Sequence, residues 1–128
     1  MKCLVVDHSA TMRRALANAV RNAGGKAVEA ADGQEALELC NRDIFAVLTA
    51  WNMPVMTGLE LVRRLRENPE TAHIRVMMVT TRNHRQDVLE AMQAGVNNYL
   101  LKPFTPDALR GKVEELLHPP ATEERAAA

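Results

Sequence analysis

Five short apolar runs, each followed by a stretch of helical periodicity, constrain the fold of this sequence more than any other feature. The runs are Cys3-Leu4-Val5-Val6, the weaker Ala27-Val28-Glu29-Ala30, Ile44 to Leu48, Val76-Met77-Met78-Val79 and Tyr99-Leu100-Leu101. Four of them are continuous, the pattern of strands covered on both faces within a parallel sheet. Strict strand–helix alternation five times over predicts an α/β doubly wound domain with a five-stranded parallel sheet.

The intervening helices carry their own punctuation. Ser9 or Thr11 can cap a helix running to Asn22, with Leu16, Ala19, Val20 and Ala23 at helical spacing and Gly24-Gly25 as the stop. Ala36, Leu37, Leu39 and Cys40 mark a second helix after Asp32-Gly33. Thr57-Gly58-Leu59-Glu60 has capping-box spacing and opens a third, with Leu61, Val62 and Leu65 on one stripe. Val88, Leu89 and Met92 give a fourth, ended by Gly95. Thr105-Pro106-Asp107 opens the last, which carries Leu109, Val113, Leu116 and Leu117 and stops at Pro119-Pro120. The expected division is a domain over residues 1–118 and a flexible tail over 119–128.

Composition narrows the function classes. The chain has 128 residues, one domain's worth, with 47% hydrophobic and 25% charged residues. Lys plus Arg and Asp plus Glu each number 16, so the net charge is zero and the attraction needed for non-specific nucleic-acid binding is missing. No apolar run approaches the ~20 residues of a membrane span, and the first run is too short for a signal peptide. Cys3 and Cys40 lack metal or redox spacing and read as reduced core thiols. A cytoplasmic location follows as the expectation.

In doubly wound sheets the functional crevice lies beyond the carboxyl ends of the strands. The residues leaving those ends are Asp7-His8, Ala50-Trp51-Asn52, Thr80-Thr81 and Lys102-Pro103. Together with SATMRR (9–14), Trp51-Asn52-Met53-Pro54, Met56 to Leu61, Val79-Thr80, Gln93-Ala94-Gly95 and Lys102-Pro103-Phe104, they resemble the receiver domain of response regulators. The similarity is greatest to the single-domain chemotaxis type and runs from about residue 2 to residue 117.

That resemblance implies a CheY-like, flavodoxin-like three-layer sandwich with strand order 2-1-3-4-5 and a cis Lys102-Pro103 bond. It also implies a mechanism. An aspartate ending the third strand attacks a phosphodonor, two acids after the first strand help hold Mg²⁺, and a lysine pairs with the phosphoryl oxygens. A Ser or Thr hydroxyl then turns toward the new phosphate and an aromatic residue on the fifth strand follows it.

By position, Lys102, Thr80 and Tyr99 match the lysine, the switch hydroxyl and the switch aromatic, and Asp7 matches the first acid. His8 stands at the second acidic position and Ala50 at the nucleophile. A methyl group neither attacks phosphorus nor ligates a metal. Asn52 still offers its backbone carbonyl. Where the family carries three carboxylates and one lysine, this chain carries one of each, and every missing charge at ~4 Å forfeits a few kcal/mol of attraction for a cation. The expectations are no aspartyl phosphorylation, no metal, and no cofactor, Mg²⁺ being called for only by an intact acidic site. With the acidic repulsion reduced, Lys102 is free to pair directly with Asp7, and added Mg²⁺ should not raise the melting temperature.

Simpler readings stand beside the sharper ones. His8 as ligand to a softer ion has too few companions and reads more simply as a loop residue. Thr49, Thr57 and Thr80 lack an evident base for accepting phosphate. Arg82, His84 and Arg85 form either a solvated basic face or a site for an acidic partner. Met53, Met56, Met77, Met78 and Met92 read as core and loop filler. Tyr99 is either a solvent-side binding anchor or an ordinary sheet residue.

The leading functional reading is a non-enzymatic pseudo-receiver in two-component phosphorelay signalling, acting through protein contact. The resemblance places its partner surface on the fourth helix, fifth strand and fifth helix, involving Thr80, Arg85, Val88, Met92, Tyr99 and Lys112. The partners would be a histidine kinase or a downstream target, with no nucleic acid and no membrane, and the chain is expected to be a monomer. The rival is an active Mg²⁺-dependent phosphoacceptor carrying an engineered Asp-to-Ala change at Ala50, against which the second departure at His8 weighs. A small-molecule sensor comes third. No output domain follows, which speaks against direct transcriptional control.

Overall fold

In the computed structural model, which describes residues 1–119, the chain runs β1 (Lys2–Val6), α1 (Ala10–Asn22), β2 (Lys26–Ala30), α2 (Gly33–Leu39), β3 (Ile44–Ala50), α3 (Gly58–Glu67), β4 (Arg75–Thr80), α4 (Arg85–Ala94), β5 (Asn98–Leu101) and α5 (Pro106–Leu117). The sheet is parallel throughout, in the order β2-β1-β3-β4-β5. The expected tail falls outside the described residues from position 120 onward.

The continuous apolar runs exist because each central strand feeds two cores. On β1, Leu4 and Val6 enter one cluster while Cys3 and Val5 enter the other. Val76 and Met78 likewise part from Met77 and Val79 on β4. The first cluster is completed by residues of α2, α3 and α4, the second by α1 and α5. The two edge strands are less buried, which is why the β2 run reads as weak.

Four of the helices open on a side-chain cap. Ser9 accepts from the Met12 N–H, Asp32 from Glu35, Thr57 from Glu60 and Thr105 from Ala108. Helix α4 differs, since His84 at its N-cap provides no such bond. Gly24 and Gly95 adopt positive φ where α1 and α4 end, as the expected stops require.

The reading of Met92 as filler needs correction. Ala91 is the residue this helix buries, as a member of the first core cluster, while Leu89 and Met92 are 49% and 44% exposed. The small Ala91 side chain lets the helix lie close to its neighbours, and the larger apolar residues face outward. Met92 is therefore not core filler, whereas Met56, Met77 and Met78 are buried as expected.

At the pole opposite the strand carboxyl ends, Arg66 at the end of α3 binds four acceptors. Its guanidinium donates to the carbonyls of Ala72, Ile74 and Gly95 and to Asn97 Oδ1. Asn97 Oδ1 also accepts from the Val76 N–H. The end of α3, the start of β4 and the end of α4 are thus tied at one point.

Candidate functional site

Asp7 follows directly from β1 and is 2% exposed. Both of its carboxylate oxygens are engaged, Oδ1 by the Ser9 N–H at 2.9 Å and Oδ2 by Lys102 Nζ at 3.0 Å. Its backbone carbonyl accepts from the Arg13 guanidinium at 2.7 Å. The direct Asp7–Lys102 pair expected from the charge count is present, and the Lys102-Pro103 bond is cis. His8 extends toward solvent, its Nδ1 3.9 Å from Asp7 Oδ1.

Ala50 is the last residue of β3, 4% exposed, and so belongs to the strand whose expected end was Leu48. Its carbonyl accepts the Thr49 hydroxyl at 2.9 Å. Gly58 explains how α3 starts so close by. Its N–H donates to the Trp51 carbonyl at 2.8 Å, and a Cβ there would collide with the Ala50 carbonyl oxygen. The loop between β3 and α3 also contains Val55, an exposed β-branched residue at φ 73°, a conformation that residues of its kind rarely adopt.

Asp7, His8, Ala50, Asn52, Thr80 and Lys102 line one cavity of about 150 Å³, together with Trp51, Val79 and Thr81. All six pocket residues singled out from the sequence therefore meet. Thr80 is buried at the end of β4, where its carbonyl accepts the Lys102 N–H and its hydroxyl accepts the Arg82 N–H. Thr57 caps α3. Each of the three threonine hydroxyls considered as phosphate acceptors thus already has a structural partner.

Arg82 is the residue the sequence did not single out by itself. Its guanidinium carbon lies 4.7 Å from the Trp51 ring centroid, Nη2 donates to Asn52 Oδ1 at 3.2 Å, and Nη1 is 3.6 Å from Asp87 Oδ1. Its carbonyl accepts the Tyr99 hydroxyl at 2.8 Å. Tyr99 is therefore half-buried, not a free solvent-side anchor. Desolvation, reinforced by Asp87 and opposed by Arg82, raises its pKa above 10.0. Sequence gives Arg82 only as a member of a basic group, because nothing in spacing reports how far a long side chain reaches.

Of the remaining surface residues, Arg85 and Val88 lie on α4, the first exposed and the second half-buried. Lys112 lies on α5 with Nζ 3.7 Å from Glu115.

A Mg²⁺ ion requires several free oxygen ligands. The residues present do not fit it: each Asp7 oxygen already has a partner, Ala50 brings a methyl, and His8 offers ring nitrogens and extends to solvent. Among the described residues no group of three or more His, Cys, Asp or Glu could hold a metal. Likewise, no helix among them is long and apolar enough to cross a membrane.

A parallel sheet in this order, with its cavity at the strand carboxyl ends and a lysine on a cis peptide beside it, defines a receiver-type domain. Residues 3–114 match the Response regulator receiver domain family, and the chain belongs to it, a family of two-component signalling proteins. The chain is 46% identical to a chemotaxis protein CheY homolog of Campylobacter jejuni over 120 residues, covering 91% of this chain and 92% of that protein. It is 45% identical to chemotaxis protein CheY1 of Helicobacter pylori, covering 91% and 97%. Among solved structures, CheY4 of Vibrio cholerae superimposes with a TM-score of 0.81 at 30% identity, over 90% of this chain and 97% of that one.

Proposed function

We propose that this receiver signals without aspartyl phosphorylation, through protein contact in a chemotaxis-type pathway of the cytoplasm, and is not an enzyme. The observation that carries the reading is the floor of the cleft. Asp7 is satisfied by Lys102 and Ser9, and the position facing them is the methyl of Ala50. Ala50 supplies no carboxylate to form an acyl phosphate, and Asp7, already paired, is the single acid lining the cleft. Switching, where it occurs, is driven by a partner that binds one arrangement of the domain better than another. The partner, a histidine kinase or a downstream target, is assigned to the α4–β5–α5 side, with Arg85, Val88, Met92, Tyr99 and Lys112 as contacts. Thr80 is the link to the cleft. Nucleic acid and membrane are not among the proposed partners.

The test is intact-mass measurement after incubation with acetyl phosphate and Mg²⁺, alongside a thermal melt with and without millimolar Mg²⁺. The expected results are an unchanged mass and an unchanged Tm, with Ala50→Asp as the comparison chain. A phosphoryl mass gain in the unsubstituted protein overturns the reading, as does clear stabilisation by the cation.

A further inference from the structure

We propose that Arg82 is a positioning residue, a strap that joins the cleft to the α4–β5 side of the molecule. Four separate elements meet on this one side chain and its backbone. Its guanidinium holds Trp51 and Asn52 from the β3–α3 loop and Asp87 from the first turn of α4. Its N–H is tied to Thr80 at the end of β4 and its carbonyl to Tyr99 on β5.

Two further observations set it apart from a surface ion pair. Helix α4 is without the side-chain cap that the other four helices have, and Asp87 in its first turn is the group that Arg82 holds instead. In addition, Arg82 Nε is buried without a hydrogen-bond partner, so the side chain has accepted desolvation to lie across Trp51 rather than extend into water. Its contacts are individually weak, a ring face, a neutral amide and a carboxylate at 3.6 Å. A strap made of such contacts holds a position and still opens at small cost, which suits a partner-driven switch.

The inference rests on the proposed partner side for its purpose, because the strap fixes the Tyr99 and α4 positions a partner would meet. Its test needs no partner. The chain contains one tryptophan and one tyrosine, and they sit at the two ends of the strap. Acrylamide quenching of Trp51 fluorescence is compared in the parent, Tyr99→Phe, Arg82→Ala and the double variant. Removing the Tyr99 hydroxyl should raise Trp51 quenching by roughly twofold in the parent. It should add nothing once Arg82 is gone, and Arg82→Lys should restore part of the dependence.

Unchanged quenching in Tyr99→Phe, or an equal change with and without Arg82, overturns the proposal. Such a failure leaves the phosphate-independent reading standing. A phosphoryl mass gain in the earlier experiment would instead remove that reading and leave the coupling intact.

Discussion

At the floor of the cleft, Asp7 is 2% exposed, with Oδ2 held by Lys102 and Oδ1 by the Ser9 N–H. At the rim, Arg82 lies half in solvent and spreads its contacts over a ring, an amide, a carboxylate and two backbone-linked hydroxyls. The two regions have opposite energetics. Breaking the floor pair strands the buried Asp7 charge, whereas loosening the strap lets the partly exposed Arg82 head turn to water. On the proposed reading the floor acts as structure and the rim as a joint. That reading rests on Ala50 and His8 at the floor and on the Tyr99–Arg82 contact at the rim.

The largest expected effect lies at the floor. Lys102→Met leaves Asp7 buried opposite an apolar side chain and should cost about 2–4 kcal/mol in urea denaturation. Arg82→Ala should cost about 1 kcal/mol or less. Equal losses would erase the distinction between the two regions. A smaller effect of opposite sign belongs to the loop between them. Val55→Asn relieves a positive-φ valine without touching the pair or the strap, and should stabilise by about 1 kcal/mol in the same assay.

The smallest effect is a pH dependence at the rim. Tyr99 titrates higher in the folded protein than the usual 10.0, so its contribution is complete below pH 10 and is lost as pH rises through the folded pKa. Burial also raises the Cys3 and Cys40 thiols to about 11, adding to the alkaline loss in the same direction. Subtracting the Tyr99→Phe stability profile from the parent's should isolate the phenol's share. Identical profiles would mean that the phenol is not withdrawn from water beside Asp87.

The floor was more legible in the sequence than the rim, for a physical reason. Apolar periodicity locates strand ends, and strand ends locate Asp7, Thr80 and Lys102, so backbone geometry alone brings the pocket together. The pairing of Asp7 with Lys102 followed from counting charges at that place. Orientation about a helix axis was harder. On α4 the apolar residues Leu89 and Met92 outweigh Ala91 in any hydrophobic pattern, yet the small residue is the one that faces inward. The reach of Arg82 was not legible at all, because its partners at positions 51, 52, 87 and 99 share no periodicity with it. Of the two readings open for Tyr99, the same contact favours the half-buried one.

The Arg66 knot gives this arrangement a mechanical sense. By gripping the Gly95 carbonyl it pins the last turn of α4 to the base of the sheet, while in the first turn Asp87 meets the looser Arg82 strap. A rod fastened at one tip swings and does not slide. Motion on opening would therefore grow along the helix from Ala94 toward Arg85, a tiller whose pivot lies at the far pole from the pocket that steers it.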